Sequence, residues 1–177
     1  MSWRLMVEDV GLLVVDAQEK LVVAITEPAD WLARLGLLVQ GAHLLGLPIV
    51  LTEQVPSKLG KTVFAIAKAL GTGARPIAKS QFSAAEAARS LGRKRILVAG
   101  CEAHICIRQT VYDLRLKEFT PVVVADAVGA RQARDRDMAL AEMRADGVVI
   151  TTVEAVLFEM MESSTHPKFK EIQALIQ

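Results

Sequence analysis

The stretch Arg95-Ile96-Leu97-Val98-Ala99-Gly100-Cys101-Glu102-Ala103-His104-Ile105-Cys106-Ile107 decides the architecture. Its first half is a continuous apolar run without alternation, which suits a strand covered on both faces, as in a parallel sheet. A short turn follows Gly100, and then the first turn of a helix whose apolar stripe is Ile107, Val111 and Leu114. Runs of the same kind predict strands at Gly11–Asp16, Pro48–Thr52, Arg75–Lys79, Pro121–Asp126 and Gly147–Thr152.

Amphipathic stretches separate these runs. Trp31–Leu45 places Trp31, Leu35, Leu38 and Leu45 on one side. Ser83 precedes an Ala-rich helix, Ala84–Leu91, with Glu86 at capping-box spacing. Gln132–Ala145 is charged outside and carries Met138, Leu140 and Met143. Helices at Val153–Glu162 and Pro167–Ile176 complete the chain, with Pro167 suited to a first turn. Alternating β and α elements predict an α/β fold, a doubly wound three-layer sandwich with right-handed crossovers. One domain over residues 1–177 is expected.

Composition narrows the function classes. The chain has 177 residues, is 52% hydrophobic and 23% charged, and carries a net charge of +1. No basic block is present to track a phosphate backbone, so nucleic acid is not an expected partner. No apolar stretch reaches the ~18 residues of a membrane span; Trp31 to Leu51 is broken by Arg34, Gln40, His43 and Pro48. The N-terminal residues lack the pattern of an export signal. Two cysteines make no disulfide framework. A cytoplasmic setting is expected, with an organelle as the alternative.

Three polar residues end three different strands: Asp16, Lys79 and, just beyond the turn, Cys106. Ligands of doubly wound folds lie beyond the carboxyl ends of the strands, near a switch in strand order. Each residue has a bland reading. Cys106 resembles an ordinary buried cysteine, Asp16 a capping residue, and Lys79 a surface lysine. Together they supply the parts of a cysteine hydrolase. A helix start and a lysine favour thiolate, and a carboxylate takes the thiol proton and returns it to a leaving group. Cys101, among small residues at the strand end, reads as structural; a Cys101–Cys106 redox pair lacks the Cys-x-x-Cys spacing. His104 stands two residues before Cys106, and such residues point apart on a helix, so it reads better as pocket lining than as a base. No two histidines stand at a metal-ligand spacing. The loop Ser57–Thr62 reads as a pocket wall, and the run Arg131–Asp137 as a solvated helix start.

At this level the chain resembles the isochorismatase-like hydrolases, in the cysteine-hydrolase branch of isochorismatase-domain-containing proteins. The resemblance rests on Leu13-Val14-Val15-Asp16-Ala17-Gln18, Thr52-Glu53-Gln54-Val55-Pro56 with Leu59-Gly60-Lys61-Thr62, and Lys79-Ser80-Gln81-Phe82-Ser83. It continues through Gly100 to Cys106 with Gln109-Thr110, Ala125-Asp126-Ala127-Val128, Thr151-Thr152-Val153-Glu154, and His166-Pro167-Lys168-Phe169-Lys170. It implies a six-stranded parallel sheet in the order 3-2-1-4-5-6, with Cys106 as nucleophile, Asp16 as proton acceptor and donor, and Lys79 as electrostatic partner. Gln18, Gln54, Phe82 and His104 become candidates for lining a substrate pocket. A cis peptide bond between Cys101 and Glu102 is implied, aiming the N–H groups of Glu102 and Cys106 at an oxyanion.

Two departures qualify the resemblance. The Asp-x-His element of zinc-binding nicotinamidases is replaced by Thr52-Glu53-Gln54, so neither that activity nor a metal or other cofactor is implied. The turn Lys117-Glu118-Phe119-Thr120 lacks the glycine usual there. The resulting expectation is a metal-independent cysteine hydrolase acting on a small amide-like C–N bond through a Cys106 thioester, in a homo-oligomer. A non-enzymatic small-molecule binder or scaffold, and a thiol-based redox sensor, are the alternatives.

Overall fold

The computed structural model describes residues 4–71 and 75–177. Its strands are β1 (Val10–Val15), β2 (Ile49–Gln54), β3 (Ile77–Lys79), β4 (Arg95–Cys101), β5 (Thr120–Gly129) and β6 (Val149–Thr151). The helices are α1 (Glu19–Val22), α2 (Trp31–Leu44), α3 (Pro56–Leu59), α4 (Phe64–Ala69), α5 (Arg108–Leu116), α6 (Ala133–Ala145), α7 (Val153–Met161) and α8 (Phe169–Ile176). The strands form one parallel sheet in the order β3-β2-β1-β4-β5-β6. The order reverses between β1 and β4, so the crevice of the switch point opens above Val15 and Gly100, which pair in register.

Side-chain alternation on β1 builds a core on each face. Val10, Leu12 and Val14 join Trp31, Leu35 and Leu38 of α2 and Val156, Leu157 and Met160 of α7. Leu13 and Val15 join Ile107, Val111 and Leu114 around α5 and Leu140 and Met143 of α6. Every residue of β1 is buried, which accounts for its lack of polar alternation.

The elements depart from the sequence reading where local chemistry competes with the regular pattern. The expected helix Ala84–Leu91 is a 3₁₀ segment, Ala87–Leu91. Its capping box does not form: the Ser83 hydroxyl accepts from the Ala85 N–H at 3.3 Å, and the Glu86 carboxylate reaches Arg89 and Lys117 instead. The first half of the loop expected at Ser57–Thr62 belongs to the single turn α3, which begins at Pro56. Pro167 precedes its helix, which starts at Phe169. β5 runs on to Gly129 through an irregularity that shifts its pairing with β4 between Val98 and Gly100. Arg136 spans it, donating from Nη2 to the Ala125 carbonyl at 2.6 Å and from Nε to that of Val128 at 3.0 Å. One residue of the supposedly solvated helix start is therefore a clamp on the sheet.

The turn without glycine keeps its shape. After α5, the Phe119 N–H donates to the Leu114 carbonyl at 2.9 Å and the Glu118 N–H to that of Arg115 at 2.9 Å. This is a Schellman closure with Glu118 in the left-handed position, φ 63°. After α6 the same closure forms from Val148 to Met143 and from Gly147 to Arg144, there with glycine at φ 83°.

Candidate active site

Asp16 directly follows β1 and is fully buried. Its backbone is left-handed, φ 54°, which turns the chain sharply at the crevice. Both carboxylate oxygens are engaged. Oδ1 accepts from the Thr52 hydroxyl at 2.8 Å, and Oδ2 accepts from the Lys79 ammonium at 2.6 Å. Lys79, last residue of the edge strand β3, also donates to Gln54 Oε1 at 2.7 Å and to the carbonyls of Gln81 (3.1 Å) and Phe82 (3.0 Å). The segment after β3 thus doubles back as a strap around its own ammonium.

Gln18 and Gln54 build the frame under that ammonium. Gln18 donates from Nε2 to the Gln54 carbonyl at 3.0 Å and to that of Gly60 at 2.7 Å, and it accepts from the Gln54 N–H at 2.7 Å. Gln54 Nε2 donates to the Ser80 carbonyl at 2.7 Å. Both amides are spent inside the protein and act as frame, not as free pocket lining. Phe82 contributes its carbonyl to Lys79, while its ring is exposed. Below the frame, Glu53 Oε1 accepts from the N–H and hydroxyl of Thr62 at 2.7 and 2.9 Å, fixing the loop after α3.

Cys106 is nearly buried and lies in a wide π turn, Ala103–Ile107, ahead of α5. The Glu102 carbonyl accepts from Ile105 N–H at 3.0 Å and from Ile107 N–H at 3.2 Å. Among the described residues the cis peptide is Glu27–Pro28, so the expected cis bond between Cys101 and Glu102 is absent. The chain redirects itself through positive φ at Gly100 (126°) and at Glu102 (58°). A side chain at Gly100 is impossible, because its Cβ would lie 2.1 Å from the Val15 carbonyl oxygen.

The electrostatics reverse one expectation. Burial and the negative charge of Asp16 raise the Cys106 thiol to about 12, against an opposing pull from Lys79. The resting group is a thiol beside a carboxylate, not a thiolate held by the helix start. Cys101 is pushed well above the usual thiol range, first by burial and then by the charges of Asp16 and Glu102.

His104 turns to the other side of the π turn. Its Nδ1 lies 3.7 Å from Glu102 Oε2, and its Nε2 lies 3.9 Å from Asp135 Oδ2. Both Glu102 Oε2 and His104 Nδ1 are buried without a hydrogen bond. Glu102 Oε1 accepts from Arg131 Nε at 2.6 Å. His104 lines a surface hollow with Arg108, Asp135 and Met138 instead of the space around Lys79. A cavity of about 520 Å³ opens on the far side of Lys79, between Ile77, Ala84 and Leu116. Thr52 touches that cavity, and neither Asp16 nor Cys106 lines it.

Thr52 and Thr110 carry no role that their motifs reveal in sequence. Thr52 holds the second oxygen of Asp16, and Thr110 bonds to the Cys106 carbonyl and to Ala84 N–H. One signal was available for Thr110: a hydroxyl four residues after the cysteine, at back-bonding distance in a helix. Among the described residues no group of three or more His, Cys, Asp or Glu side chains is placed to hold a metal ion.

The isochorismatase domain model matches residues 10–155, which include the whole cluster. This chain belongs to the isochorismatase family. It is 36% identical over 180 aligned positions to isochorismatase domain-containing protein 2 of Danio rerio, covering 98% of this chain and 89% of that one. It is 38% identical over 169 positions to isochorismatase domain-containing protein 1 of Salmo salar, covering 92% of this chain and 59% of that protein. The chain thus spans less than two thirds of that relative's length. The structure of MAR1 ribonuclease from Caenorhabditis elegans superposes with a TM-score of 0.91 at 34% identity, covering 98% of this chain and 92% of that one. Family membership places this chain in a hydrolase superfamily of the cysteine-hydrolase type. No helix among its described residues is long and apolar enough to cross a membrane.

Proposed function

We propose that this isochorismatase-family chain hydrolyses a small amide-like C–N bond through a thioester on Cys106, without a metal. The observation that carries the reading is one buried carboxylate, Asp16, held by the Lys79 ammonium at 2.6 Å, whose charge also acts on the Cys106 thiol. A thiol held near 12 is inert by itself at neutral pH, so the proton must leave as the sulfur attacks. Asp16 takes it while the C–S bond forms. Lys79 offsets the negative charge gathered at the site. The carbonyl oxygen acquires charge at the turn, where the N–H groups of Glu102 and Cys106 are the donors in this reading, although the Cys101–Glu102 bond expected to aim them is not cis. Asp16 then passes the proton to the leaving nitrogen as the C–N bond breaks. Water attacks the thioester, releases the acid and restores the thiol.

Exposed apolar side chains, among them Val23, Phe64 and Leu116, support a homo-oligomer in this reading. Light scattering of the purified protein tests that part.

The chemical test is a panel of small primary amides, ureas and N-carbamoyl compounds, read by ammonia release and by intact mass. The expected result is turnover together with an acyl adduct on Cys106 that Cys106→Ala removes. Because general acid–base help is worth about 10²–10⁴-fold, Asp16→Asn should lower turnover by that order. Turnover that persists in Cys106→Ala would overturn the thioester. The Caenorhabditis elegans relative is described as a ribonuclease, so a structured RNA belongs in the panel. Cleavage of RNA with none of the amides would replace the C–N reading. A Cys101–Cys106 disulfide after mild peroxide, without amide turnover, would favour the thiol sensor.

A further inference from the structure

One buried hydroxyl connects the two halves of the site. Thr110 is fully buried in the second turn after Cys106. Its Oγ1 donates to the Cys106 carbonyl at 2.6 Å and accepts from the Ala84 N–H at 2.8 Å. Ala84 ends the strap whose Gln81 and Phe82 carbonyls hold the Lys79 ammonium. Lys79 ends β3 and Cys106 lies in the π turn after β4, and the strap is an irregular segment with no ladder to hold it. The Thr110 hydroxyl is the side-chain group that bonds to both.

We infer that Thr110 is a positioning residue that locks the Lys79 strap to the nucleophile turn, so that the ammonium stays on Asp16 beside Cys106. The inference rests on the reading of Asp16, Lys79 and Cys106 as the reacting centre. The physical argument is one of satisfaction. Ala84 is buried, and its N–H takes the Thr110 hydroxyl as its partner. Valine fills the same volume but accepts nothing, so the Ala84 N–H must leave its place to find a partner. The strap moves with it and the Gln81 and Phe82 carbonyls loosen their hold on Lys79. Serine retains the hydroxyl and should retain the lock.

The test uses iodoacetamide on the folded protein, with the rate of Cys106 alkylation read by intact mass from pH 9 to pH 11, on the rising limb below the thiol's pKa of about 12, so no substrate is required. Withdrawing the Lys79 charge leaves the thiol harder to ionise, since that charge is what opposes Asp16. Thr110→Val should slow alkylation by up to about tenfold, the range of one hydrogen bond, and shift the profile to higher pH. Thr110→Ser should fall within about twofold of the parent. In a Lys79→Met background Thr110→Val should have no further effect, because its route is removed. A Thr110→Val profile that superimposes on the parent would overturn the inference, as would an undiminished effect in the Lys79→Met background. If Thr110→Val does not fold, hydrogen exchange of the unaltered protein decides: the Ala84 N–H should exchange as slowly as β4, and rapid exchange there refutes the lock. Failure of every amide substrate would count against the hydrolase reading and leave these alkylation results untouched.

Discussion

The Lys79 ammonium lies 2.6 Å from Oδ2 of Asp16, across 63 residues of sequence, and the carboxylate it meets has no solvent exposure at all. The pair joins the end of the edge strand β3 to the end of the central strand β1. Such a pair is costly to break from one side, because the remaining charge is stranded. Lys79→Met is expected to lower stability by about 3–5 kcal/mol and to remove turnover. Urea unfolding, with far-UV circular dichroism to confirm the fold, measures the first effect. A loss below 1 kcal/mol would mean that Asp16 finds another partner or takes a proton.

Thr52 holds the other oxygen of the same carboxylate at 2.8 Å. Thr52→Val keeps the volume and deletes the donor. A hydrogen bond to a charged group contributes roughly 1.5–3 kcal/mol, so a loss of that order is expected in urea unfolding. Thr52→Ser should recover most of it.

Alkaline stability reports on the thiol. Below about 8.5, the pKa of a free thiol, folded and unfolded chains both carry the Cys106 proton and its contribution is fully present. Above that pH the unfolded chain loses the proton while the folded chain keeps it up to about 12. The unfolded state then binds fewer protons, so stability falls as pH rises, by about 1.4 kcal/mol per pH unit for this group. Cys106→Ala should flatten the fall by that amount in unfolding series between pH 8 and pH 11. Parallel slopes for the two proteins would show that Cys106 ionises normally in the fold.

Glu118 occupies a left-handed position that Gly147 occupies after the next helix. A residue with a Cβ costs roughly 1–2 kcal/mol there, partly offset by the larger entropy that glycine loses on folding. Glu118→Gly is expected to raise stability by up to about 1 kcal/mol, with no change at the site. Differential scanning calorimetry should show a higher Tm; a lower one would mean that the Glu118 side chain makes a compensating contact.

Activity, once a substrate is found, is expected to survive EDTA unchanged. Loss on chelation with recovery on added zinc would contradict the mechanism.

The β-branched runs and the helical stripes were enough to identify the parallel sheet and to place Asp16 and Lys79 at strand ends with Cys106 in the turn beyond β4, although β5 runs past its expected end at Asp126 to Gly129. These features follow from local periodicity and from burial on both faces, which a linear chain displays directly. The strand order came with the family resemblance, since hydrophobic runs do not state their neighbours. Only the tertiary structure decided what the polar groups do to one another. Gln18 and Gln54 look like pocket residues in sequence, and they are frame because their partners are the Gly60 and Ser80 carbonyls of distant loops. Cys106 looks activated at a helix start, and its thiol is pushed up to about 12 because burial and the charge of Asp16 outweigh Lys79. The turn expected to need a cis bond is made by left-handed Glu102 after Gly100, where Val15 leaves no room for a side chain. Charge balance and close approach are sums over residues far apart in the chain. No local pattern encodes them, and packing around the crevice sets their values.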